Sequence, residues 1–463
     1  MIFQNIWWKM KLYRGRIFNI ILIMRKNFLF LLSIFVLLTG CDKSSDKKQD
    51  FLDEKKRESL KTLSTEISEI KVNQKKAFNE FFNNLSVEEK VSQLFIENLA
   101  GDTEFVPLEY YKASDGEKKA LIPGGYLFFG YNIRNDIEGV MYFTDKIREY
   151  CYENDIIPPF LAVDQEGGFV NRLRTLNGPL PSQERVSSKL DLASSYDLYS
   201  LQAVQMASLG FNLNLAPVVE VLTAENLQFL NGRSFGNREN VLKYGKTCVN
   251  AYENYGIGTV IKHFPGNTNT DPHTGLPEIV LSEEKLKESL EPFKKIISAN
   301  PSGVLMSHAR TKASDSETPA CLSYFWVTEK LRKEFGFKGV IFSDDIFMGA
   351  LADNGFPQEK AVLMAINAGI DVIMFSEKRF AKTAKVLIDE ANNNPEFMEK
   401  IANAAKRVLS YKIKAGLLEY ERLASGKNEY ELVTSDPFSS VEDRIVRFND
   451  ARDENIKLYR SYF

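Results

Sequence analysis

The chain holds 463 residues, with 59 Lys and Arg against 62 Asp and Glu, for a formal net charge of −3. That balance excludes the basic excess of a nucleic-acid binder, the 44% hydrophobic content excludes low-complexity disorder, and four cysteines are too few for a disulfide scaffold. Length alone suggests two or three domains of about 150 residues each, although a single barrel can take ~250 or more.

Residues 28–38, FLFLLSIFVLL, form an unbroken apolar or small run, preceded by Arg25 and Lys26 and closed by Leu38-Thr39-Gly40-Cys41. Such a run, shorter than the ~20 residues of a membrane span, reads as an export signal over residues 1–41. Leu-Thr-Gly-Cys resembles a bacterial lipobox. The resemblance implies that Cys41 is lipidated and anchors an exported lipoprotein to a membrane face. Met24 offers a second start, since Met1–Ile23 adds an unusual Trp-containing leader.

Residues 42–58 carry twelve charged side chains in seventeen, of both signs, and are expected to be a solvated tether. Leu60, Leu63, Ile67 and Ile70 recur at helical spacing and predict a helix that completes the 42–84 segment. Besides Cys41 there are Cys151, Cys248 and Cys321, an odd set without regular spacing that reads as buried or free thiols. No Cys/His spacing suits a metal, and no cofactor is expected.

From residue 90, short apolar runs alternate with amphipathic stretches. The runs are Val91–Glu97, Gly125–Phe129, Pro159–Val163, Asn212–Val219, Gly258–Lys262, Gly303–Met306, Gly339–Phe342 and Asp371–Phe375. Continuous apolar runs fit parallel strands covered on both faces, and their alternation with helical patterns such as Glu283–Ser298 and Pro357–Ala368 is the βαβ signal. The fold expected is an α/β (β/α)8 TIM-type barrel over residues 85–416, with a doubly wound open sheet as the alternative. No helix is evident between the first two runs. Residues 417–463 are polar and helix-like and read as a surface-packed helical extension.

A barrel carries its chemistry at the C-terminal strand ends. After the third run comes Asp164-Gln165-Glu166-Gly167-Gly168; the fifth ends in Lys262-His263-Phe264-Pro265-Gly266; after the sixth comes Ser307-His308-Ala309-Arg310, and after the seventh Ser343-Asp344-Asp345. The chain has three histidines: His263 and His308 fall at strand ends and His273 in the loop after the fifth. A strand-end aspartate can act as nucleophile, base or metal ligand. Carboxylates beside the cationic donors Arg172, Arg233, Lys262 and Arg310, without dinucleotide, P-loop or GxSxG motifs, suit a polyhydroxylated substrate. Asp271-Pro272-His273 pairs a carboxylate with an imidazole, but Asp-Pro is also a common turn starter, and spacing alone favours the turn.

At these residues the chain resembles the bacterial β-N-acetylhexosaminidases of glycoside hydrolase family 3. The likeness runs from about Leu85 to Gly416. It begins with Leu85-Ser86-Val87-Glu88-Glu89-Lys90, then takes in Asp164–Gly168, Asn214-Leu215-Ala216-Pro217-Val218-Val219 and Gly232-Arg233-Ser234-Phe235-Gly236. It ends with Lys262–Gly266, Asp271-Pro272-His273 and Phe342–Asp345. The resemblance implies a retaining exo-β-N-acetylglucosaminidase acting on cell-wall fragments or chitooligosaccharides. Asp344 would be the nucleophile, His273 the acid/base and Asp271 its partner. Asp164, Arg172, Arg233, Lys262 and His263 would hold the terminal sugar, with His308 as a further substrate-binding candidate for which a structural hydrogen-bonding role is equally open. Asp345 is expected to support the turn.

Two departures stand out. The loop Asn267-Thr268-Asn269-Thr270 is about two residues shorter than the family pattern, and Phe169 stands where an arginine often follows Gly-Gly. Family 3 β-glucosidases generally carry a second αβ domain, for which the 47 residues after Gly416 are too few. The expected partners are a carbohydrate and a membrane, with no nucleic acid and a monomeric state. A glucosidase or phosphorylase on the same fold, or an inactive sugar-binding lipoprotein, are the competing readings.

Overall fold

The computed structural model describes residues 45–463 apart from 114–115, 271–274, 313–314, 316, 348, 425–428 and 437–439. The export signal with Cys41, and the pair Asp271 and His273, lie outside the described residues. Residues 77–422 with 430–463 form one compact unit, and the earlier residues with 423–429 form another. The barrel and its rim belong wholly to the first.

Eight parallel strands close into a barrel: β1 (Phe95–Asn98), β2 (Gly125–Phe128), β3 (Phe160–Val163), β4 (Leu213–Asn214), β5 (Gly258–Phe264), β6 (Gly303–Met306), β7 (Val340–Asp345) and β8 (Val372–Phe375). Each pairs with its neighbours in chain order, and β1 is flanked by β2 and β8. Because β1 pairs on both sides, the sheet has no edge, which sets aside the open doubly wound alternative. The longer helices are α1 (Ser45–Asn84), α2 (Ile137–Glu153), α3 (Leu192–Ser208), α4 (Arg238–Asn254), α5 (Glu283–Ile296), α6 (Gln358–Ala368), α7 (Ala381–Asn393), α8 (Pro395–Ala415) and α9 (Val441–Tyr462).

Alternate strand residues serve two cores. Ile96, Leu127, Phe160, Leu213, Val260, Leu305, Phe342 and Val372 pack together inside the barrel. Phe95, Phe128, Leu161, Ile261, Val304, Ile341 and Ile373 belong to the larger core beneath the helices. Burial on both faces is why these strands read as continuous apolar runs. Phe160 can fill the interior because β2 opens with glycine: a Cβ on Gly125 would lie 2.0 Å from its ring.

The differences from the sequence reading have local causes. The first run opens with the last two residues of a helix, Val91 and Ser92, because Ser86 and Glu89 form a capping box that starts a helix over Val87–Ser92. The fourth is cut to two residues by Pro217, which has no N–H to donate, and pairing resumes at Val218 opposite Lys262. Between β1 and β2, where the sequence shows no evident helix, stands a hairpin, Tyr110–Lys112 against Lys118–Ala120. The charged stretch expected to be a tether is helical from Ser45 onward, in keeping with the high helix propensity of its Lys and Glu residues. The C-terminal extension is not wholly helical: Leu418–Arg422 and Tyr430–Thr434 form an antiparallel pair before α9. Their alternation was masked by the glutamates on the solvent face.

α9 packs on α3, and buried Arg444 grips Asp145 of α2 through two bonds of 2.7 Å. The N-terminal end of the barrel is closed by Val408, Tyr411 and Leu417, with the Tyr411 hydroxyl donating to the Asn212 carbonyl at 2.7 Å. Beside them Lys412 is fully buried, its ammonium donating to Gln93 Oε1 at 2.5 Å. Burial pushes this lysine down to about 7. The folded protein thus gives up a proton that the unfolded chain keeps until pH passes about 10.5. Stability should therefore rise from pH 7 towards 10, by at most ~1.4 kcal/mol per pH unit for one proton. Urea unfolding of wild type and Lys412→Met at pH 7, 8 and 9 isolates this contribution. A difference between the two proteins that does not grow with pH would contradict it.

Candidate active site

Four charged side chains interlock at the C-terminal rim. Lys262, near the end of β5, lies 2.7 Å from Asp164 Oδ1 and 2.6 Å from Glu166 Oε1. Arg233 clasps Glu166 with its Nε and one terminal nitrogen, both at 2.8 Å. Two cations thus meet two carboxylates, and the cluster is neutral as a whole. Burial opposes ionisation of Glu166, but Lys262 and Arg233 outweigh it and hold its carboxyl at about 2. Burial likewise opposes the charge on Lys262, and Asp164 and Glu166 reverse this and raise it above the usual lysine range. Asp164 is less deeply buried than Glu166, with 18% of its side chain exposed against 1%, so it is the carboxylate that a bound hydroxyl can reach.

A second buried carboxylate orients the adjoining histidine. Glu220 Oε1 accepts from His263 Nδ1 at 2.7 Å and from the His263 amide at 3.2 Å, while Oε2 accepts from the Asn267 amide at 2.6 Å. A carboxylate can only accept, so Nδ1 carries the proton and Nε2 is left for another partner. The ring packs edge-on against Phe229, over which the Arg233 guanidinium also lies at 5.3 Å. Arg172 lies 5.8 Å from the Phe129 ring centre, and its Nε is buried without a hydrogen-bond partner among the described residues.

Asp344 stands near the end of β7, where its Oδ1 accepts from the Asp345 amide at 2.9 Å. Among the described residues it makes no ion pair, in contrast to the neighbouring cluster. Asp345 is bound differently: its Oδ1 accepts from the amides of Phe347 and Ser376 at 3.0 and 3.1 Å, and burial raises its carboxyl above the ordinary range. It braces the turn and joins β7 to the end of β8.

His308, for which substrate contact and a structural hydrogen-bonding role are both open in the sequence, is fully buried. Its Nε2 donates to the Asp345 carbonyl at 3.0 Å and its Nδ1 lies 3.2 Å from Cys321 Sγ. The carbonyl fixes the tautomer, so Nδ1 accepts from a thiol that burial keeps protonated. With both nitrogens occupied, His308 supports the β7 end from below. Conversely, Glu166 and Glu220 are site residues that the sequence reading passed over. Glu166 lies inside the Asp-Gln-Glu-Gly-Gly motif. Glu220 directly follows the apolar run ending at Val219, so the strand-end rule applied elsewhere finds it too.

A family model, the glycosyl hydrolase family 3 N terminal domain, matches residues 86–411. The chain belongs to glycosyl hydrolase family 3. It is 30% identical over 328 residues to a protein of Pseudoalteromonas piscicida named Beta-hexosaminidase A, covering 63% of this chain and 53% of that one. It is 29% identical over 294 residues to a Beta-hexosaminidase of Tolumonas auensis, covering 61% of this chain and 84% of the other. Against the first of these it therefore spans about half the relative's length. Among solved structures, the β-N-acetylhexosaminidase of Beutenbergia cavernae superposes with a TM-score of 0.63 at 27% identity, over 71% of this chain and 99% of that one. The matched span contains the whole family 3 barrel and all the rim residues described above.

Proposed function

We propose that the protein is a retaining exo-β-N-acetylglucosaminidase, cutting terminal N-acetylglucosamine from cell-wall fragments or chitooligosaccharides. The observation that carries this reading is the contrast at one rim between a neutralised donor–acceptor cluster and Asp344, a carboxylate with no ion-pair partner among the described residues. The cluster suits holding a sugar: Asp164 accepts from hydroxyls, while Lys262, Arg172 and Arg233 donate. A carboxylate free of ion pairs suits attack at the anomeric carbon. The names of the relatives support the sugar class, and the lipobox Leu38–Cys41 suits an enzyme that meets its glycan outside the cytoplasm.

In this mechanism the Asp344 oxygen bonds to the anomeric carbon as the glycosidic bond breaks, forming a covalent glycosyl-enzyme. His273 gives its proton to the leaving oxygen and then takes one from the incoming water, whose oxygen bonds to the anomeric carbon as the bond to Asp344 breaks and the carboxylate is restored. An imidazole titrates near pH 6.5, which suits it to both tasks. Asp271 orients the ring.

The protein is assayed with aryl β-N-acetylglucosaminides and aryl β-glucosides, with and without phosphate. Turnover confined to the N-acetylated substrate and indifferent to phosphate is expected. Preference for the glucoside makes it a glucosidase, dependence on phosphate a phosphorylase, and no turnover at all a binding protein. His273→Ala should spare substrates with good leaving groups and slow poor ones by ~10²-fold or more. Equal losses for both would remove His273 as the acid.

A further inference from the structure

Helix α9 lies beyond the span matched by the family model, which ends at residue 411, yet hydrogen bonds tie it to the loop that carries the ion cluster. We propose that Asn455 of α9 is a positioning residue. Acting through Gln202 and Pro179, it holds residues 165–182, and with them Glu166 and Arg172, in the geometry that receives the substrate. The substrate part of this inference rests on the proposed glycosidase function.

Asn455 is fully buried. Its Oδ1 accepts from Gln202 Nε2 at 2.6 Å, and its Nδ2 donates to the Pro179 carbonyl at 3.2 Å. Gln202, fully buried on α3, also donates to the Gly178 carbonyl at 3.0 Å, and its Oε1 accepts from Asn177 Nδ2 at 3.0 Å. Gln165 Nε2 approaches the same oxygen at 3.5 Å and donates to Asn171 Oδ1 at 2.9 Å. The Gln165 side-chain oxygen accepts from the Leu173 amide at 3.2 Å, and its backbone N–H and C=O each bond the Asn214 side chain at 3.1 Å. In the chain, Gln165 sits between Asp164 and Glu166, and Asn171 precedes Arg172. The amide chain from α9 therefore ends one residue away from two of the groups read as holding the sugar, Asp164 and Arg172, and from Glu166 of the ion cluster.

Buried amides are stabilised by using their donors and acceptors, so the paired Asn455, Gln202 and Gln165 hold one another's rotamers. Gly178 shows how close the approach is: a Cβ there would lie 2.4 Å from Asn455 Oδ1. Removing the Asn455 amide leaves Gln202 one acceptor short and the Pro179 carbonyl without its donor, both away from water. The arrangement then relaxes towards Gln165.

Asn455→Leu, Gly178→Ala and Gln202→Leu are compared with wild type in steady-state kinetics on the aryl β-N-acetylglucosaminide and in amide hydrogen exchange. KM is expected to rise about tenfold while kcat stays within about twofold, because these groups bind the sugar and do not attack it. Amides of residues 165–182 should exchange about tenfold faster, with β5 and β6 unchanged. The double variant Asn455→Leu/Gln202→Leu should be no worse than the poorer single one, since both act on one chain. Unchanged exchange in 165–182, or lowered stability with KM unchanged, overturns the proposal. A wild-type protein that turns over no substrate removes the functional reading, and exchange alone then decides the positioning. Gly178→Ala keeps both amides and only displaces them, so it serves where Asn455→Leu does not fold.

Discussion

Asp344→Asn should lose at least ~10³-fold in kcat while binding substrate about as well as wild type, since the amide keeps the shape and cannot form the glycosyl-enzyme. The structure supplies a control one residue along. Asp345 spends its carboxylate on the amides of Phe347 and Ser376, so Asp345→Asn should act through the local turn, lowering stability and reducing turnover far less. Steady-state kinetics on both variants, with unfolding midpoints measured in parallel, separates the two roles. If Asp345→Asn proves the more damaging to kcat, or Asp344→Asn keeps a tenth of wild-type activity, the nucleophile has been assigned wrongly.

Glu166→Gln should cost about 3–5 kcal/mol of stability, the range for breaking one member of a buried ion pair. Its carboxylate is the shared partner of Lys262 and Arg233, and both cations would be left with Asp164 as the nearest anion of the cluster. Proton linkage leads to the same conclusion. The Glu166 carboxyl is held at about 2, against 4.5 for the free side chain. Its contribution is present above pH 4.5 and is lost as pH falls towards 2. A shift of that size corresponds to about 3 kcal/mol. Denaturant unfolding of wild type and Glu166→Gln between pH 7 and 3 checks this. The gap between the curves should narrow as the medium becomes acid, and a constant gap means that the cluster is not what Glu166 supports. Substrate affinity should fall with stability at neutral pH, because Lys262 and Arg233 are the donors proposed to hold the sugar.

Much of the barrel was legible because double-sided burial writes itself into composition. Phe160-Leu161-Ala162-Val163 and Gly303-Val304-Leu305-Met306 are apolar throughout, as a helix-covered parallel strand buried on both faces requires. Where reading and structure part, short-range chemistry had masked the pattern. The capping box at Ser86 turned the start of the first run into helix, Pro217 shortened the fourth, and alternating glutamates concealed the hairpin after Gly416. At the rim, reading the residues after each strand found Asp164, Lys262, His263 and Asp344, because a charged group ending an apolar strand is conspicuous. Arg172 and Arg233 stand out from the residues alone only as cationic donors suited to a polyhydroxylated substrate, and the resemblance places them on the terminal sugar. Glu166 was overlooked beside the conspicuous Asp164. For His308 the sequence leaves substrate contact and a structural role equally open, because strand-end position says nothing of whether a side chain points into the mouth or under it.

The sequence by itself determined the strand count, the rim on which the chemistry collects and the kinds of group gathered there. Those are local properties, set by hydrophobic period and by the residues that come directly after each apolar run. Only the tertiary structure decided which carboxylate answers which cation, that Glu220 sets the His263 tautomer, that His308 carries the Asp345 carbonyl, and that Asn455 reaches the loop of Asp164 from nearly three hundred positions away. These pairings join residues far apart in the chain, and their strength depends on burial. An ion pair or amide bond worth little in water becomes decisive once its alternative partners in solvent are removed, and only the folded packing shows which groups have been taken out of water together.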